Sequence, residues 1–98
     1  MRISFDYDGT ASTARGRVML IRALRKAVNR VYIISARRDK AQMVERLREL
    51  GMKASRIFAV GSNANKIKKV HRLHIDKHYD NRQDVTTALG NIGVLFKE

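Results

Sequence analysis

The sequence predicts an α/β domain: a three-layer sandwich in which helices cover both faces of a five-stranded parallel sheet. Three observations predict it. Short apolar runs rich in β-branched and aromatic residues recur along the chain. Stretches with apolar residues at helical spacing separate them, and that alternation is the signature of a parallel sheet with crossover helices. Polar residues gather just after several of the apolar runs, where open parallel sheets bind their ligands.

Ile3 to Phe5 reads as the first strand. From Gly16 to Val28, the residues Val18, Leu20, Ile21, Leu24 and Val28 form an apolar stripe, with Arg17, Arg22, Arg25 and Lys26 between them. This is an amphipathic helix with a basic outer face. Val31 to Ile34 is a short run suited to a buried parallel strand. Asp39 and Gln42 have capping-box spacing, Met43, Val44, Leu47 and Leu50 supply a stripe, and Gly51 supplies a stop. Ile57 to Val60 reads as the third strand, closed by Gly61. Ser62 or Asn63 can cap a helix running through Leu73, with Ile67, Val70 and Leu73 on one side. Ile75 to Tyr79 gives a fourth strand, Asp84 to Leu89 a short helix, and Val94 to Phe96 a fifth strand.

Ninety-eight residues make one domain with a modest core. No apolar run approaches the length of a bilayer span, and the start of the chain has no signal-peptide pattern. With no cysteine there are no disulfides or thiolate metal sites, and a reducing cytoplasm is the expected compartment. Twenty-one Lys plus Arg against nine Asp plus Glu give a net charge of +12. Such a field attracts anionic partners, whether phosphorylated substrates, nucleic acid or acidic surfaces, and does not choose among them.

The richest segment is Phe5-Asp6-Tyr7-Asp8-Gly9-Thr10. Two carboxylates two residues apart at a strand end repel each other unless a cation or proton relieves them. Magnesium is the usual relief, because hard divalent ions take carboxylate oxygens. An Asp beside magnesium can also attack phosphorus. The same segment is compatible with a surface turn, since Asp and Gly both favour turns. Ser35 follows the second strand, and Asp80 follows the fourth, with Asp84 four residues later. Lys66 begins the helix that leads into the fourth strand. Ser35 can equally cap its turn, and Asp84 can equally cap a helix. Arg37 and Arg38 are placed either to grip a substrate phosphate or simply to lie on a basic surface. His71 and His74 lack a third metal ligand at suitable spacing, and Gly61-Ser62-Asn63 lacks the further glycines of a phosphate-binding fingerprint. His78 reads as a packed strand residue near the site.

These residues resemble the haloacid dehalogenase-like superfamily, in its phosphatase branch. Asp6-Tyr7-Asp8-Gly9-Thr10 is similar to the first of that family's four ordered motifs, Ser35 to the second, Lys66 to the third, and Asp80 with Asp84 to the fourth. The resemblance implies a Rossmann-like sheet in the order 3-2-1-4-5, with Asp6 and Asp80 as neighbours. It implies that Asp6 is the nucleophile and Asp8 the general acid and base. Asp6, the Asp8 backbone carbonyl and Asp80, with Asp84 in direct or indirect support, would hold Mg2+. Ser35 and Lys66, with Arg37 beside them, would bind the phosphoryl group. The chain departs from the family in leaving no room for a cap domain and in carrying Asn81 where many relatives have a second acid. An open site of this kind suits large substrates or a lid from another subunit. The expectation is therefore a magnesium-dependent phosphohydrolase acting through an aspartyl-phosphate on a phosphate monoester, such as a nucleotide or a phosphorylated nucleic-acid end. The alternative is a noncatalytic or weakly active phosphate- or nucleic-acid-binding module on the same fold. A homo-oligomer is compatible with either. A receiver domain is a further rival, with paired acids and a Lys, but its phosphoacceptor follows strand three, which here ends in Val60-Gly61 without an acid.

Overall fold

The computed structural model describes residues 1–98. Five parallel strands, β1 (Arg2–Phe5), β2 (Arg30–Ser35), β3 (Ile57–Ala59), β4 (Lys77–Asp80) and β5 (Gly93–Leu95), form one sheet in the order β3-β2-β1-β4-β5. The connections carry helices α1 (Ala14–Arg25), α2 (Ala41–Leu47), α3 (Asn63–Arg72) and α4 (Gln83–Leu89). Strand order reverses between β1 and β4, so the crevice beyond those two strands is where a ligand is expected.

Strand alternation sorts the core into two layers. Ile3 and Phe5 of β1 and Val31 and Ile33 of β2 pack with Leu20 of α1 and with Met43 and Leu47 of α2. Ile34 of β2 points the other way and packs with Val70 of α3 and with Val85 and Leu89 of α4. The three-layer Rossmann-like architecture follows directly from that division.

Several details differ from the sequence expectation. Helix α1 ends at Arg25, so Val28 lies outside it and is 81% exposed, and Val18 is also exposed. The buried stripe consists of Leu20 with Met19, Ala23 and Leu24, because the helix docks on a narrow strip of the sheet. The expected capping box at α2 does not form, and Lys40 rather than Asp39 holds the cap position. Asp39 accepts from the Ala41 amide at 2.9 Å, but Gln42 turns outward and accepts from Arg37 at 2.7 Å. At α3 the cap is Ser62, whose hydroxyl accepts from the Asn65 amide. At α4, Asp84 lies in the first turn and Arg82 holds the cap position. Gly51 closes the second helical segment in the left-handed region, as expected.

The loop from β1 to α1 is a single wide turn. The Ala11 amide donates to the Asp6 carbonyl at 3.1 Å and the Ser12 amide to the Tyr7 carbonyl at 2.9 Å, while Asp8 stays extended. Two glycines make this turn possible. Gly9 has a φ of 75°, and a Cβ there would lie 2.4 Å from the Asn81 side chain. A Cβ on Gly16 would lie 1.7 Å from the Thr10 carbonyl oxygen, so only glycine lets α1 press against the turn. Gly16→Ala should therefore lower stability by at least about 2–3 kcal/mol, because backbone sits on both sides of the clash. The urea midpoint measures this, and an unchanged midpoint would mean that α1 does not approach Thr10 as described.

Candidate active site

The side chains at the carboxyl ends of β1 and β4 are set by the same alternation that builds the core. Phe5 and Tyr79 face the α1/α2 layer, where their rings stack with centroids 5.0 Å apart. Ser4, Asp6, His78 and Asp80 therefore face the α3/α4 layer. Residues Ser4 and His78 are register partners, and the Asp6 amide continues the ladder by donating to the Tyr79 carbonyl at 2.9 Å. Four polar side chains thus form a seam under α3, and all four are buried.

Lys66 closes this seam from above. Its ammonium donates to Asp6 Oδ1 at 3.0 Å and to Asp80 Oδ2 at 3.0 Å, and the whole residue is 1% exposed. Asp80 is the more heavily bonded carboxylate. Oδ2 also lies 2.9 Å from His78 Nε2, and Oδ1 accepts from the Arg82 amide at 3.0 Å. Because an ionised carboxylate only accepts, His78 Nε2 is the donor in that contact. On the far side of the ring, Ser4 Oγ lies 2.7 Å from Nδ1. Asp80 is thereby spent on orienting Lys66, His78 and the turn into α4.

Two carboxylates share one ammonium, so an unbalanced negative charge is left in a buried place. The two acids respond differently. Burial pushes the Asp6 carboxyl above its ordinary range, and the attraction of Lys66 only partly offsets this. Burial also works against the Asp80 carboxylate, but the His78 hydrogen bond and the Lys66 charge outweigh it and hold its pKa below the ordinary range. Asp6 is therefore the member of the pair that a cation would relieve.

Asn81 stands next to Asp6. Turned one way, its NH2 donates to Asp6 Oδ2 at 3.1 Å and to the Asp8 carbonyl at 3.2 Å. Turned the other way, its oxygen joins those two at the same separations. The edge of an octahedral oxygen shell around magnesium, with ligands at 2.0–2.1 Å, is about 3 Å. With the Asn81 oxygen turned inward, its separations from Asp6 Oδ2 and the Asp8 carbonyl match two such edges, so these three groups could hold a magnesium ion. This set shares Asp6 and the Asp8 carbonyl with the expected set and adds Asn81. No group of three or more His, Cys, Asp or Glu side chains is arranged to hold a metal. Asp84 is a solvent-exposed side chain in a two-pronged pair with Arg82, with both contacts at 3.1 Å. The Asp8 carboxylate points to Arg37.

A cavity of about 300 Å³ opens over these groups, lined by Asp6, Asp8, Ser35, Ala36, Arg37, Asn63, Lys66, Asn81 and Arg82. A larger one, about 390 Å³, is lined by Tyr7, Ser12, Arg17, Arg46 and Glu49 among others and has neither Asp6 nor Lys66 in its wall. The chemistry-bearing groups select the smaller. Ser35 is buried, and its Oγ accepts from the Arg37 amide at 3.1 Å. That contact caps the turn and leaves the hydroxyl proton free to be donated into the cavity. Asn63 at the start of α3 contributes a buried Oδ1 with no hydrogen-bond partner.

Arg37 holds Asp8 with two prongs, Nε to Oδ2 at 2.8 Å and Nη2 to Oδ1 at 2.7 Å. The guanidinium is anchored further by Gln42 and lies 5.1 Å from the centre of the buried Tyr7 ring. The hydrogen bond from Arg37 holds the Asp8 carboxyl below the ordinary range. An ion pair this exposed is worth at most about 1 kcal/mol.

The structure thus brings Asp6, Asp8, Ser35, Arg37 and Lys66 to one cavity, with Asp80 buried beneath, and leaves Asp84 out. Sequence reasoning undervalued His78, Asn81, Asn63 and Arg82. Period-2 polarity in Ser4/Asp6 and His78/Asp80 was the available signal for His78. Comparison with protein families, with curated proteins and with solved structures finds no match to this chain. No helix is long and apolar enough to cross a membrane.

The raised Asp6 carboxyl has a consequence for stability. A carboxyl whose value is raised on folding stabilises the fold when protonated, and that contribution is lost as pH rises through its folded value. At pH 7 the ionised Asp6 therefore costs stability, and Asp6→Asn should raise the melting midpoint, by about 4–8 °C for each kcal/mol relieved. The difference should shrink as pH falls toward the ordinary 3.8 of an Asp. Magnesium should raise the midpoint of the wild type more than that of the variant. A lower midpoint for Asp6→Asn at pH 7 would contradict the charge balance described.

Proposed function

We propose that this chain is a phosphohydrolase of the haloacid dehalogenase-like kind that cleaves phosphate monoesters through an aspartyl-phosphate on Asp6. The observation that carries the reading is the buried Lys66 ammonium held 3.0 Å from Asp6 Oδ1 at the sheet's switch point, beside oxygens that could hold magnesium. Asp6, the Asp8 carbonyl and Asn81 would hold Mg2+. Magnesium would supply positive charge to the phosphoryl oxygens and to the attacking carboxylate.

The chain's own residues account for the rest. Asp6 attacks phosphorus, an Asp6–phosphorus bond forms and the bond to the ester oxygen breaks. Asp8, in its protonated form, gives its proton to that leaving oxygen. Asp8 then takes a proton from a water that attacks the aspartyl-phosphate, which frees Asp6 and releases inorganic phosphate. Lys66 orients Asp6 and neutralises charge as it builds, and Ser35 donates to a phosphoryl oxygen. The open, basic surroundings favour a nucleotide or a phosphorylated nucleic-acid end as substrate.

One observation favours a second reading, a noncatalytic phosphate- or nucleic-acid-binding module. In the conformation described, both Asp8 oxygens are engaged by Arg37, so Asp8 does not face a leaving group. Phosphate release from an aryl phosphate decides between the two. The expected result is magnesium-dependent release, lost at least about a thousandfold in Asp6→Asn. Asp8→Asn keeps its backbone carbonyl, so it should lose about 10²–10⁴-fold in turnover yet retain the magnesium-induced rise in melting midpoint. Release that is absent, or equal in wild type and Asp6→Asn, would favour the binding module.

A further inference from the structure

The Arg37–Asp8 pair points to the kind of ester this site takes. In the reaction proposed above, Asp8 serves the leaving oxygen, yet both of its oxygens accept from one guanidinium. The reacting phosphoryl group already has partners in Lys66 and Ser35, so it does not need Arg37. What can draw Arg37 away is a second anion on the leaving-group side, because a phosphate offers a guanidinium the same two-pronged geometry with more charge. The pair is exposed, with 28% of the Arg37 and 57% of the Asp8 side chain accessible, so such an anion can reach it. Releasing Asp8 would also cost Arg37 its place 5.1 Å from the centre of the Tyr7 ring, which the second anion must outweigh. Arg82, which also lines the cavity, offers a second guanidinium, paired with the exposed carboxylate of Asp84. Both guanidinium groups line the cavity, and the net charge of +12 adds long-range attraction for multiply charged esters.

We propose that Arg37 is a substrate-released latch, and that the preferred substrates are phosphate monoesters whose leaving group carries a second phosphate. The second phosphate takes Arg37, and Asp8 is freed to face the leaving oxygen. A nucleoside bisphosphate and a phosphorylated oligonucleotide end both present this chemistry. The inference rests on the phosphohydrolase reading for its catalytic half, whereas its binding half stands apart.

Kinetics on Arg37→Gln test the catalytic half. With an aryl phosphate, which has no second anion, Arg37→Gln should raise kcat about 3–10-fold, because Asp8 is no longer held. With adenosine 3′,5′-bisphosphate it should lower kcat/KM about 10-fold or more, the loss of a charge-assisted contact. A 5′-phosphorylated trinucleotide tells a free second phosphate from a chain phosphodiester, and a loss with either one supports the latch. Changes in the same direction for all substrates would mean a merely structural role and overturn it. Equilibrium binding to Asp6→Asn tests the other half without turnover. That protein should prefer adenosine 3′,5′-bisphosphate over adenosine 5′-monophosphate by about 10-fold or more, and Asp6→Asn with Arg37→Gln should lose the preference. Equal affinities in the Asp6→Asn protein overturn the inference. Absence of turnover on every substrate overturns the hydrolase reading instead, and the binding result still decides Arg37.

Discussion

A buried ammonium shared by two carboxylates organises this molecule. Lys66 is almost wholly enclosed, and it can be so only because Asp6 and Asp80 meet it at 3.0 Å from two neighbouring strands. The arrangement ties α3 to the centre of the sheet and places the end of β1 beside the end of β4. It also leaves the cluster one positive charge short of neutrality. Asp80 settles its own charge with His78 and the Arg82 amide. The imbalance falls on Asp6, the residue that faces the cavity. A buried carboxylate is thus kept under-compensated in the place where a cation would relieve it.

The layers above and below make that position possible. On the α1/α2 side, apolar residues from β1 and β2 form a conventional core. On the other side, the same strands present Ser4, Asp6, His78 and Asp80, and the small α3/α4 core begins only beyond them. Buried polar groups persist there because nearly every one is bonded. The turn from Tyr7 to Ala11 then hangs Asp8 outside the seam, in solvent, where Arg37 can take it. Asp6 and Asp8 are two residues apart and live in opposite electrostatic environments: burial raises one carboxyl, and a guanidinium lowers the other. A general acid must gain a proton that Arg37 opposes, so any catalytic role for Asp8 requires the pair to open.

Particular elements show how far the sequence could be read. The alternating runs placed all five strands within a residue or two, because strands buried on both faces must be apolar. The Asp6 to Thr10 segment, Ser35, Lys66 and Asp80 were legible as polar residues at strand or helix ends. Val28 and Asp84 were misplaced for one shared reason. Spacing along a chain says which face a residue occupies, not where the element stops or which neighbour competes for its side chain. Val28 fell past the end of α1, and Asp84 was captured by Arg82. Asn81 looked like the loss of an acid, and only its position between Asp6 and the Asp8 carbonyl makes it a candidate metal ligand.

By itself, then, the sequence determined the alternation of strands and helices, the basic field, and the polar residues that end the strands, since all three are local properties of composition and period. The tertiary structure decided the rest. It set the strand order that joins β1 to β4, the sharing of Lys66, the diversion of Asp84 and the grip of Arg37 on Asp8. Each of these pairs groups far apart in the chain or sets one partner against another, and electrostatic pairing depends on distance and burial, which only the folded chain supplies.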